Sequence, residues 1–198
     1  YAVCLDNGTG VAVNKAEAVK YYKMAADKGY ELSMYNYGIM LDNGEGIPVN
    51  KTEAAKYYKM SADKGLDKAM NRYAICLENG KGVPVNKSEA AKYYKMAADK
   101  GNVIAMYNYA VCLDNGTGVS VNKSEAAKYY KMAADKGDED AMNKYAICLE
   151  KGIGVAENKA EAAKYYKKSA DKGNKFAMYN YAVCLDNGTG VAVNKAEA

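Results

Sequence analysis

Five thiols are the side chains of this sequence best suited to nucleophilic, metal-binding or disulfide chemistry: Cys4, Cys76, Cys112, Cys148 and Cys184. Their placement argues against all three uses. Each stands at the same position of a repeating segment, and Met40 fills that position in the remaining copy. A slot that accepts methionine is an apolar packing slot. Equivalent positions of successive helical repeats lie roughly 10 Å apart, whereas a disulfide needs Cα atoms within about 7 Å. The sequence has no histidine, so no Cys/His metal cluster is expected. Aspartate and glutamate occur as lone, solvated or helix-capping charges, not as pairs in a cleft where a general base would be tuned. The "NGTG" segments have phosphate-loop glycines without the Lys-Ser/Thr that should follow. The expectation is a protein without enzymatic activity, metal or cofactor.

Binding chemistry remains. The formal net charge is +4, with lysine and acidic residues interleaved and Arg72 the only arginine. Without a basic block, nucleic acid is not an expected partner. No apolar run approaches the roughly 18 residues of a membrane span, so membrane insertion is not expected. Six N-x-S/T sequons begin at Asn7, Asn50, Asn86, Asn115, Asn122 and Asn187. The structural reading is the stronger one: Asn50, Asn86 and Asn122 read as helix caps, and Asn7, Asn115 and Asn187 end helices, where Asn-Gly is ordinary turn chemistry. Unpaired cysteines favour a reducing, cytoplasmic setting, while the sequons leave a secreted or surface location open.

The elements that position these side chains repeat with a period of 36 residues, marked by Gly8/Gly10, Gly44/Gly46, Gly80/Gly82, Gly116/Gly118, Gly152/Gly154 and Gly188/Gly190. Tyr-Tyr pairs beginning at Tyr21, Tyr57, Tyr93, Tyr129 and Tyr165 keep the same register. Periods of this size mark stacked supersecondary units. One unit reads as two helices. The first spans about 103–115, with Ala105, Met106, Tyr109, Cys112 and Leu113 on one side. Asn102, Asp138 and Asn174 are candidate N-caps for the first helices, and Gly116 is a C-terminal stop. The second helix spans about 123–136 and opens with Asn122 and Glu125, an Asn version of the capping box. The pair recurs as Asn14/Glu17, Asn50/Glu53, Asn86/Glu89, Asn158/Glu161 and Asn194/Glu197. The fixed Val or Ile of the connecting loop is expected to plug the gap between the helices. Small residues at Gly38, Ala74, Ala110, Ala146 and Ala182 are expected to let helices approach closely.

With those residues placed, the chain resembles the Sel1-like repeat family, relatives of the tetratricopeptide repeats. The resemblance rests on Ala105, Gly116, Gly118, Val119, Asn122, Ala126, Tyr129, Tyr130, Ala133, Ala134 and Gly137, and on Ala110 where the family has Gly. Leu113 departs from a frequent Tyr, and only Gly38 keeps the family glycine. The resemblance implies an all-α, right-handed α-solenoid of 36-residue helix-turn-helix units, with a concave surface used by adaptors and scaffolds. One branch of the family carries two cysteines per unit; this chain carries one. Residues 1–198 are expected to form one continuous array of about five and a half units.

One pair of first-helix positions varies in a pattern: Tyr35-Asn36, Asn71-Arg72, Tyr107-Asn108, Asn143-Lys144 and Tyr179-Asn180. Aromatic-amide units alternate with amide-cation units, off the proposed core stripe. Two roles fit: a concave partner-binding face, for which Tyr, Asn and Arg are suitable, or inter-repeat hydrogen bonding. The expected function is a scaffold for a protein or peptide ligand. The alternative is a structural array. Residues 1–18 and 181–198 are identical, and the chain starts and stops inside helices, so either it is a window of a longer array or copies stack end to end into a filament.

Overall fold

The computed structural model describes residues 1–196. Glu197 of the Asn194/Glu197 capping pair lies outside the described residues. Among these residues there are eleven helices and no strand: α1 (Ala2–Asn7), α2 (Lys15–Asp27), α3 (Glu31–Asn43), α4 (Lys51–Asp63), α5 (Asp67–Asn79), α6 (Lys87–Asp99), α7 (Val103–Asn115), α8 (Lys123–Asp135), α9 (Glu139–Lys151), α10 (Lys159–Asp171) and α11 (Lys175–Asn187). They fall into two compact units, Tyr1–Asn102 and Val103–Ala198.

Within the first unit, α1 packs on α2, and α3 and α5 pack on α4 and α6. Within the second, α7 packs on α8 and α9 on α10. Inside the units, α2, α4, α8 and α10 also lie against the first helix of the next pair. A helix that meets neighbours on two sides needs a flat, small-residue flank, and alanine supplies it. Ala55, Ala91, Ala127 and Ala163 are fully buried.

Local chemistry sets the helix ends. Asn50, Asn86, Asn122 and Asn158 each accept the backbone N–H three residues on through the side-chain oxygen, at 3.0–3.1 Å. The reciprocal half differs from an ordinary capping box. The glutamate accepts from the asparagine side-chain amide, as Glu89 does from Asn86 at 3.0 Å. The asparagine backbone N–H donates instead to a leucine carbonyl of the preceding helix, Asn122 to Leu113 at 2.9 Å. The cap therefore also sutures the interhelical loop. Asp138 and Asn174 cap α9 and α11 by accepting from Ala141 and Ala177, while Tyr30 and Leu66 stand at the cap of α3 and α5 with no side-chain bond. The loop aliphatics Ile47, Val83 and Val119 are half-buried, shallower than plugs.

Two contacts hold pairs together. The first tyrosine of each Tyr-Tyr pair meets a first-helix tyrosine edge to face, Tyr109 with Tyr129 at 4.9 Å and Tyr145 with Tyr165 at 5.0 Å. Its hydroxyl can also reach the preceding second helix: Tyr165 donates to Asp135 at 3.0 Å. The second loop glycine is a contact as well as a turn. A Cβ on Gly154 would stand 2.2 Å from the Lys123 carbonyl oxygen, and one on Gly82 2.0 Å from that of Lys51. The backbones of neighbouring repeats meet there, which only glycine permits.

Candidate interaction groove

The first helices carry the alternating pair. In the first unit, Tyr35 is half-buried with its ring tilted over Tyr58 at 6.0 Å. Its hydroxyl approaches the guanidinium of Arg72 on the next first helix. Asn36 is half-buried beside Tyr22, Arg72 is exposed and Asn71 is buried.

The second unit repeats the arrangement and closes it into a groove. Tyr107 tilts over Tyr130 at 5.8 Å, and Asn108 beside it is half-buried. Asn143 is 7% exposed. Lys144 is half-buried, and among the described residues it forms no ion pair. Asn180 donates its side-chain N–H to the Asn143 oxygen at 3.0 Å. Tyr107, Asn143, Lys144, Tyr179 and Asn180 line one groove of ≈ 520 Å³ together with Asp140, Ile147 and Phe176. Asn71 and Asn143 do not lie off the core as the sequence suggested. Asn143 sits on the floor because α11 brings Asn180 across it. The same asparagine thus serves an inter-repeat bond and lines the groove.

The electrostatics are uneven. Asp140 accepts from the Asn174 amide at 2.7 Å. Burial, then the Asp140 and Asp138 charges, raise the Tyr107 pKa above its ordinary value. Burial also raises Asp138, outweighing the stabilising Ala141 N–H. Cys148 is pushed up to about 11 by burial, with the Asp114 charge helping, and Cys76 likewise to about 11 by burial and Asp42. These thiols stay protonated near neutrality, a poor state for a nucleophile.

Two features carry the same two-repeat alternation and were not singled out in the sequence. Three residues before the pair, the sequence runs Leu32, Lys68, Ile104, Asp140, Phe176. The apolar members belong to the tyrosine units, and Ile104 and Phe176 are 58% and 62% exposed. Seven residues after the first of the pair, the acid alternates as Asp42, Glu78, Asp114, Glu150, Asp186. The glutamates receive the hydroxyl of a buried tyrosine, Tyr94 to Glu78 at 2.7 Å and Tyr166 to Glu150 at 2.9 Å. The shorter Asp42 and Asp114 pair with Lys51 and Lys123, each at 2.6 Å. Comparing alternate copies, rather than adjacent ones, would have exposed both.

Stacked helix pairs in an unbroken 36-residue register, joined by glycine loops, define an α-solenoid of helix-turn-helix repeats. The chain belongs to the Sel1 repeat family: the Sel1 repeat model matches residues 1–30, 32–66, 67–102, 103–138, 139–174 and 175–198. A comparison with curated proteins returned no match. Among solved structures, it is similar to c5321 of uropathogenic Escherichia coli, described as a protective antigen with an SLR fold, at 30% identity and a TM-score of 0.94, over 99% of this chain and 42% of that one. This chain thus spans less than half the length of that antigen. It is also similar to a Sel1 repeat protein from Oxalobacter formigenes, at 31% identity and a TM-score of 0.88, over 99% of this chain and 78% of that one. Cysteine rich protein B of Helicobacter pylori shares the fold alone, at 20% identity and a TM-score of 0.55, over 66% of this chain and 97% of that one.

Proposed function

We propose that this chain is a non-catalytic interaction scaffold that holds a protein or peptide ligand against its first-helix face, the concave side expected of a solenoid. One observation carries the reading. The groove gathers five of the ten alternating residues from three successive repeats, with aromatic rings beside a lysine and a hydrogen-bonded pair of amides. Aromatic area with few rotors and adaptable amide bonding is what a recognition surface needs. Sel1 repeats in general serve protein interaction, which supports the same reading.

The test is selection of peptides or partner domains on the immobilised chain, followed by binding to the variants Tyr107→Ala and Tyr179→Ala. Loss of binding with unchanged helical circular dichroism is expected. Binding that survives both substitutions would move the site away from the groove. The alternative is that copies assemble end to end. Negative-stain images showing long uniform fibres would favour it, and discrete short arcs the scaffold.

A further inference from the structure

We propose that Met60, Met96 and Met132, one on each of three successive second helices, are oxidation sites: open thioethers that take an oxygen atom from a peroxide while the fold stays intact. The inference is independent of the groove.

The chain has ten methionines, and the two helices of a repeat treat them differently. On first helices, Met34, Met70, Met106 and Met142 share one repeat position and are 2–6% exposed. Met40, in the cysteine slot, is 2% exposed. On second helices, Met60, Met96 and Met132 share another position and are 36%, 46% and 43% exposed. α4 and α8, which carry Met60 and Met132, each pack on the first helix of their own pair and on that of the next. Both flanks are covered and the methionine is still open, so its exposure belongs to the outer face of the helix. Met24 and Met178 are also open, but they lie near the chain ends and nothing rests on them.

The outer position is built for a polar group. Lys56, Lys92 and Lys128 stand one turn before the three methionines and are exposed. In α10 the same position holds Lys168, which is exposed too. A position that accepts lysine in one repeat has no need of an apolar side chain. The thiol slot behaves the opposite way, since Met40 is its only substitute.

The chemistry follows from that contrast. A sulfur lone pair attacks one oxygen of hydrogen peroxide and the O–O bond breaks. The attacked oxygen stays on sulfur, and the other leaves as water with both protons. Sulfur is oxidised by two electrons and the peroxide is reduced by two. The product is a polar sulfoxide. On the outer face its oxygen meets water and a lysine N–H. At Met70 or Met142 it would be a buried acceptor without a partner, which disrupts a core.

The test is a time course of the full chain in hydrogen peroxide, quenched and read by peptide mass spectrometry beside circular dichroism and urea unfolding. Met60, Met96 and Met132 should each gain one oxygen at least about tenfold faster than Met34, Met70, Met106 and Met142, which wait for local opening. In urea all should react at one rate. Helicity and the urea midpoint should hold when the outer three are fully converted. Lys168→Met should create a fourth fast site. Met132→Gln, a polar stand-in for the sulfoxide, should keep the midpoint, and Met142→Gln should lower it. Equal rates for outer and core methionines in the folded chain would overturn the proposal, as would a slow thioether in Lys168→Met. So would helicity that falls as the outer three convert and is kept, under the same peroxide, by the combined Met60→Leu, Met96→Leu and Met132→Leu chain.

Discussion

The side-chain amide of Asn180 reaches back one repeat to the oxygen of Asn143, 3.0 Å away, on the floor of the groove. Both residues belong to the alternating pair, one from an aromatic-amide unit and one from an amide-cation unit. Alternation therefore sets up a cross-repeat partnership that a uniform repeat would place differently. Replacing either residue by alanine should cost about 0.5–1.5 kcal/mol, and Asn143→Ala more than Asn180→Ala, since the buried member has less access to water. A double-mutant cycle read by urea denaturation should return a coupling of similar size. Strict additivity would mean that the contact contributes nothing.

The loop glycines separate two costs. At Gly10 the φ is +74° and nothing lies within 4 Å of an added Cβ, whereas at Gly154 the φ is +71° and the Lys123 carbonyl stands in the way. Gly10→Ala should cost about 1–2 kcal/mol from the left-handed backbone alone. Gly154→Ala should cost that and a further 1–3 kcal/mol, because neighbouring backbones must part. Thermal or urea unfolding of the two variants gives the difference directly. Equal losses would mean that the repeats do not touch at that glycine.

Asp138 gives a pH signature of definite sign. Burial raises its pKa in the fold, so the folded state holds the proton more tightly than the unfolded chain. Its contribution to stability is full below the ordinary aspartate range near 3.9 and falls as pH rises through the folded value. Asn174 fills the equivalent cap of α11 and makes the same bond. Asp138→Asn should therefore keep the cap and raise Tm slightly at pH 7. The gain should shrink towards pH 3. A loss of stability at pH 7 would show that the charge, not the cap, matters.

Alkali should unfold the protein through its buried tyrosines. Burial comes first in raising Tyr58, Tyr130 and Tyr166, with acidic neighbours adding to it. Above about pH 10 the unfolded chain releases phenolic protons that the fold retains, so stability falls as pH rises. Phenolate absorbance should rise in two stages, exposed rings first and these three together with loss of helicity. Thiol titration should follow the same division: Cys4, half-buried, reacts with a disulfide reagent in the native state, while Cys112 and Cys148 react only on unfolding. A single smooth titration of all tyrosines with helices intact would contradict this.

The repeat length, the helix pair and the chemistry of its ends were legible in the sequence. Asn122 and Glu125 opening a helix that a glycine closes is a local arrangement, and local backbone groups are satisfied by residues three or four positions away. The floor of the groove was less legible. Asn143 looked like a surface residue because helical spacing places it beside the core stripe, and only α11 laid across it buries it. The same holds for the second loop glycine, which reads as a turn residue until the backbone of the previous repeat comes against it.

Sequence alone determined that each 36-residue unit folds as two capped helices and that its apolar side must be covered by another copy, because periodicity, caps and glycine stops act within one turn. Tertiary structure alone decided which alternating residues meet and which of them are buried. Those outcomes depend on side chains about 36 residues apart brought within a few ångströms, a relation that no local spacing encodes.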